Sequence, residues 1–169
     1  LKQQLLHQRK RSKKSKSDEW WTPKEFIGEA EEEYGMRFEV DVACNYRNCQ
    51  CMTGITDALK DNWNIKSMYD KRKWGDVWCN PPNSKLRYFL PRAYQQYNKF
   101  GMRIMMIVPA NVVSSKAFWS AVEIPRRHGE KIMYEPVYKR ISFLDNGKKS
   151  KFSARNAYIK VIWGMKSRF

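Results

Sequence analysis

The stretch Asp76-Val77-Trp78-Cys79-Asn80-Pro81-Pro82-Asn83 decides the fold. A short apolar run ends in an asparagine and two prolines, and a helical segment opens directly behind them. That order places a buried strand before a stiffened turn, as at the carboxyl end of a parallel strand in an α/β sheet, where such folds put their ligand sites. The prolines fix the backbone and leave carbonyls to accept hydrogen bonds, and Asn80 adds a side-chain oxygen beside them. Together these groups suit a grip on an exocyclic amine.

Working outward, the elements alternate. Thr22-Pro23-Lys24-Glu25 reads as a capping box with proline at the first helical position; Phe26, Ile27, Ala30 and Tyr34 follow on one face and Gly35 ends the helix. Residues 37 to 43 carry Phe38, Val40 and Val42 and predict a strand with Asp41 near its carboxyl end. After the strand that ends at Asn80 comes a helix built on Ala93, Tyr94 and Tyr97, which Pro91 must start or kink. The apolar residues 104 to 108 predict a buried strand closed by Pro109. Residues 115 to 122 read as a short helix and residues 131 to 134, 140 to 144 and 158 to 163 as strands, with Asp145-Asn146-Gly147 as a turn between the last two. Strand, helix, strand implies a mostly parallel sheet, and the last strands an antiparallel C-terminal edge.

Charge divides the chain. Of 169 residues, 33 are Lys or Arg and 17 are Asp or Glu, a net charge of +16. Residues 1 to 17 hold seven basic groups, among them Lys10, Arg11, Lys13 and Lys14, and no acid, so they read as a basic N-terminal arm. Residues 18 to 169 form the folded domain and remain basic. Such a surface favours a polyanion through counterion release, and nucleic acid is the expected partner. Lys85 and Arg87, just beyond the diproline, are candidates for phosphate contacts. No apolar stretch approaches the roughly 18 residues that span a bilayer, and no signal peptide opens the chain, so no membrane association is expected. The expected location is intracellular, in the cytoplasm or nucleoid of a microbial or virus-infected cell. Leu1 in place of Met suggests a piece of a longer protein. Cys44, Cys49, Cys51 and Cys79 do not follow a zinc-finger or ribbon spacing and read as reduced, partly buried thiols, with no metal expected.

Several motifs occur together in order: Glu19-Trp20-Trp21-Thr22-Pro23, Val40-Asp41-Val42-Ala43, Asp57-Ala58-Leu59 with Trp63 after it, Asn80-Pro81-Pro82, Ile107-Val108-Pro109-Ala110 and Arg140-Ile141-Ser142-Phe143. This ordered set resembles the phage-type DNA N6-adenine methyltransferases, S-adenosylmethionine-dependent amino-methyltransferases, over nearly all of residues 18 to 164. The resemblance implies a compact Rossmann-like methyltransferase domain and transfer of a methyl group from S-adenosylmethionine to the exocyclic amine of adenine in DNA. It implies a catalytic motif of Asn80, Pro81, Pro82 and Asn83, and cofactor contacts from Trp21, Thr22, Pro23, Asp41 and Asp57. Asn83 stands where the family usually has Tyr or Phe. A flipped base must be held by stacking, and Tyr88, Phe89, Trp20 or Trp21 would have to provide it. Cys44-Asn45-Tyr46 replaces the family's Gly-rich loop.

Two other readings follow from the same residues. One is a nucleic-acid-binding module or subunit without catalytic activity; the other is an amino-methyltransferase acting on RNA or on protein glutamine. Only about 90 residues follow the motif, which leaves little room for a large target-recognition domain, so the expectation is specificity that is modest or supplied by a partner; a protein partner or an oligomer is compatible with the chain.

Overall fold

The structure is a computed structural model and describes residues 20–45, 47–145, 147–149 and 156–166. The arm, with Lys10, Arg11, Lys13 and Lys14, lies outside the described residues. Among these residues no helix is long and apolar enough to cross a membrane.

Helix α1 (Lys24–Tyr34) leads into strands β1 (Phe38–Asp41), β2 (Thr53–Gly54) and β3 (Asp76–Cys79). Helix α2 (Leu86–Phe100) and strand β4 (Ile104–Pro109) follow. A helical run then comprises α3 (Lys116–Phe118), a wider π turn over Trp119–Glu123 and α4 (Ile124–Arg127). Strands β5 (Ile132–Pro136), β6 (Leu144–Asp145), β7 (Lys148–Lys149) and β8 (Tyr158–Trp163) complete the chain. Six strands form one sheet in the order β2-β1-β3-β4-β8-β5, with β6 and β7 as a separate hairpin. β2, β1, β3 and β4 run parallel, and β8 is antiparallel to both its neighbours. This is the expected α/β class with antiparallel C-terminal strands, β8 lying one place in from the edge formed by β5.

The period-two alternation of β3 and β4 explains why both faces are covered. Val77, Cys79, Ile104, Met106 and Val108 join the core under α2, with Phe89, Leu90 and Ala93. Trp78, Met105 and Ile107 point to the other core, with Ile27, Ala30 and Tyr34 of α1. Trp78 meets Phe26 and Phe38 edge-on at 6.2 and 5.2 Å between ring centroids. Lys160 in the centre of β8 is buried and paired with Glu33 at 2.8 Å and Glu135 at 3.1 Å, which is what makes a cation tolerable there.

Three local expectations change and one narrows. Thr22 makes no helix cap: Pro23 holds the N-cap position without a side-chain bond, and the Thr22 hydroxyl is used elsewhere. Of the two alternatives for Pro91, starting α2 is excluded: it lies inside the helix, the place expected of a kink, on its exposed side, where solvent can reach the carbonyl that a proline leaves unpaired. Residues 140 to 143 form no strand; Ile141 and Phe143 are buried as loop residues, and Leu144 alone bridges to Trp21. Leu144 and Asp145 of β6 pair antiparallel with Lys148 and Lys149 of β7, so the turn signal lies within a local hairpin and is not the link to β8.

Candidate active site

The carboxyl ends of β1, β3 and β4 lie side by side, because the three strands are parallel and adjacent. Asn80 follows the last residue of β3. Its Nδ2 donates to the Thr22 hydroxyl at 3.0 Å and to the Trp20 carbonyl at 3.5 Å. A carbonyl only accepts, so this pair fixes which end of the amide is the donor. Among the described residues no donor is bonded to Asn80 Oδ1. Behind it, Pro81 is buried, and the Pro82 carbonyl accepts from Lys85 N at 2.9 Å, closing a short 3-10 turn over Asn83–Lys85 that feeds α2.

Asn83 lies beside the hydroxyl of Tyr158, where it opposes the upward pKa shift that burial gives that group. Tyr158 opens β8 opposite Pro109 and meets the Phe143 ring edge-on at 5.2 Å; Phe143 in turn stacks on Trp20 at 5.6 Å. An aromatic wall of Tyr158, Phe143 and Trp20 thus runs from Asn83 back to the segment that holds Asn80. Sequence reading did not find Tyr158. Its signal is an aromatic residue at the first position of a strand whose register faces the end of β4.

On the other side of the motif lies a cleft of about 210 Å³. Asp57, Asn45, Asn48 and Thr56 supply its polar groups, and Val42, Leu59, Pro82 and Phe89 part of its apolar wall, with Lys85 at its margin. Of the predicted cofactor residues, Asp57 lines this cleft, half exposed and paired with Lys60 at 2.9 Å. Trp21 packs against Gly147 and bridges to Leu144, Thr22 is buried beneath Asn80, and the Pro23 carbonyl receives the first amides of α1. Asp41 is buried at the end of β1. Its Oδ1 accepts from Ala43 N at 3.1 Å and its Oδ2 from Gln50 N at 2.9 Å, so it organises the loop that walls the cleft. Burial raises its pKa to about 6, against the opposing effect of those two amides.

Of the expected phosphate and base contacts, Arg87 is exposed and lies over the Tyr88 ring at 4.7 Å. Tyr88 is half exposed, while Phe89 is buried in the core. The same loop that carries Asn45 and Asn48 gathers Cys44 and Cys49 against Asp41, with ligand atoms of all three within 4.8 Å of one another. Cysteine spacing alone did not suggest this group because its third member is an aspartate on the preceding strand.

A search of curated protein sequences finds no significant match. Among solved structures, the chain is similar to a precorrin 8W decarboxylase, the product of gene MT0146 of Methanobacterium thermoautotrophicum, at 14% identity and a TM-score of 0.40, over 83% of this chain and 90% of that one. Residues 9–167 match the family model described as DNA N-6-adenine-methyltransferase (Dam), and the chain belongs to that family.

Proposed function

We propose that this protein transfers a methyl group from S-adenosylmethionine to N6 of adenine in DNA. The observation that carries the reading is the Asn80 amide, whose amino end is tied to Thr22 and the Trp20 carbonyl while its oxygen takes no bond from the described residues. An acceptor held this way, beside the backbone of a diproline, suits an amine that must donate two hydrogen bonds.

The cleft residues fit the cofactor's chemistry. S-adenosylmethionine presents an ammonium group, ribose hydroxyls and a purine, and the cleft offers a carboxylate in Asp57, amides in Asn45 and Asn48, and the apolar sides of Leu59, Pro82 and Phe89. Asp41 acts behind them by holding the 43–50 loop, and Trp21, Thr22 and Pro23 act by setting Asn80. When bound, S-adenosylmethionine supplies the methyl group.

Asn80 Oδ1 and the Pro81 carbonyl accept hydrogen bonds from the adenine amine. Those bonds orient its lone pair and draw electron density onto the nitrogen, so positioning and electrostatics lower the barrier. Asn80 is neutral and takes no proton; the one that N6 loses after methylation passes to solvent. Adenine must leave the duplex to reach this point. Tyr88, half exposed on α2, is the candidate ring to stack on it, and Lys85 and Arg87 are the candidates for the flanking phosphates. The basic arm adds further phosphate contacts.

The test is incubation of the purified chain with labelled S-adenosylmethionine and DNA, followed by nucleoside analysis. Label in N6-methyladenine supports the reading. Saturable DNA binding without any label in DNA, RNA or protein would leave the chain as a binding module.

A further inference from the structure

We propose that Asp41, Cys44 and Cys49 form a binding site for a thiophilic divalent cation, zinc by its chemistry, at the rim of the cleft. Three residues from the end of β1 and the loop behind it bring one carboxylate oxygen and two sulfurs within 4.8 Å of one another. Bonds of about 2.3 Å to sulfur and 2.0 Å to oxygen in a tetrahedral site put donor atoms roughly 3.5–3.8 Å apart. The three groups need therefore close by at most about 1.3 Å around an ion.

Other features of the loop agree with a site and not with chance proximity. The carboxylate is already oriented by the Ala43 and Gln50 amides, the kind of outer support that metal-ligating carboxylates have. Both sulfurs crowd Gly54 of β2: a Cβ added there would meet Cys44 Sγ and Cys49 Sγ at 2.7 Å each. A residue without a side chain is thus what leaves room for the pair. As thiols the two groups donate to backbone carbonyls, Cys44 Sγ to that of Asp41 at 3.4 Å and Cys49 Sγ to that of Cys51 at 3.6 Å, and metal binding would replace both bonds. The loop also contains Gln50 Oε1, a buried side-chain oxygen without a hydrogen-bond partner among the described residues.

Two thiolates select a soft or borderline cation over magnesium or calcium, and three protein ligands leave a fourth position for water. The balance is simple. Each thiol loses its proton to solvent, two sulfur–metal bonds and one oxygen–metal bond form, and no electron moves. The ion would then pin the loop that contributes Cys44, Asn45 and Asn48 to the cleft wall.

Cobalt titration of the reduced, metal-free full chain tests this, read without cofactor or DNA so that absence of methyl transfer has no bearing on it. One equivalent of cobalt should bring the visible bands of a tetrahedral ion and near-ultraviolet thiolate charge transfer, displaced by zinc, with about two protons released per ion. Cys44→Ser and Cys49→Ser should each weaken binding at least about tenfold and lower the charge-transfer intensity, while Cys79→Ala, a buried thiol outside the trio, should not. X-ray absorption of the unmutated zinc-loaded chain should show two sulfur neighbours, which keeps the test independent of how the variants fold. Absence of thiolate charge transfer at a large cobalt excess, or a zinc environment with only nitrogen and oxygen neighbours, would overturn the proposal.

Discussion

The two ends of the parallel strands treat buried acceptors in opposite ways. At the amino ends, charge is met by charge or by dedicated donors. Asp76 takes two bonds from the Arg103 guanidinium, at 2.8 and 2.5 Å, and one from Arg37 N at 2.8 Å. Glu39 takes Ser67 Oγ and Met68 N at 2.7 Å each. At the carboxyl ends, Asp41 has two backbone amides and no cation in contact among the described residues, and the oxygen of the half-buried Asn80 takes no bond from those residues. Saturated partners hold a fold in place, whereas unsaturated ones leave capacity for a ligand. On the proposed reading, the difference separates the end of the sheet that stabilises from the end that would take a ligand.

The comparison breaks most visibly if Asn80 proves dispensable. Asn80→Ala should lower the methyl-transfer rate by roughly two or more orders of magnitude, about 2.7 kcal/mol or more in the barrier, while the melting temperature changes little. A variant that methylates as fast as the parent would remove the amine-gripping role. The opposite profile is expected at the other end. Arg103→Ala leaves the Asp76 carboxylate buried without its counter-ion and should cost about 2–3 kcal/mol in denaturant unfolding, with activity per folded molecule retained.

Thr22→Val sharpens the comparison further. It should reduce turnover about tenfold, near 1.4 kcal/mol, by loosening the Asn80 amide, with stability nearly unchanged because Thr22 caps no helix. A loss of stability with an intact rate would restore the capping role. The smallest effect lies away from both ends, in a third compensated acid. Arg126 and Arg127 hold Glu123 at a pKa of about 2, below its ordinary 4.5. A depressed carboxylate stabilises the fold above the unfolded value and loses that contribution as pH falls from about 4.5 toward 2. The arginines are largely exposed, so the contribution is about 1 kcal/mol, and Glu123→Gln should flatten that part of the acid-unfolding profile.

Local pattern in the sequence carried the sheet well where burial was continuous. Residues 104 to 108 and 158 to 163 are apolar enough to be strands in any context, and both are. The diproline after Cys79 marked the carboxyl end of a parallel strand because proline cannot continue a ladder. What pattern could not supply was choice between equivalent uses of one group. Thr22 ahead of Pro23 has the chemistry of a cap, yet its hydroxyl is taken by Asn80, 58 residues away. Ile141 and Phe143 alternate like a strand, but they bury against Trp20 and Tyr158 from a loop. The Asp41, Cys44 and Cys49 group depends on how the loop folds back on β1, which spacing does not encode.

The insertion of β8 between β4 and β5 also bears on how this sheet is assembled. During synthesis, β5 emerges before the strand that attaches it, because it pairs with β8 and is not a neighbour of β4. Until residues 158 to 163 leave the ribosome, β4 carries an open edge and β5 has no place in the sheet, so completion waits for its last strand in sequence. A truncation after Ala157 would therefore detach β5 as well as removing β8, leaving a four-stranded remnant with an apolar edge exposed to other unfinished chains.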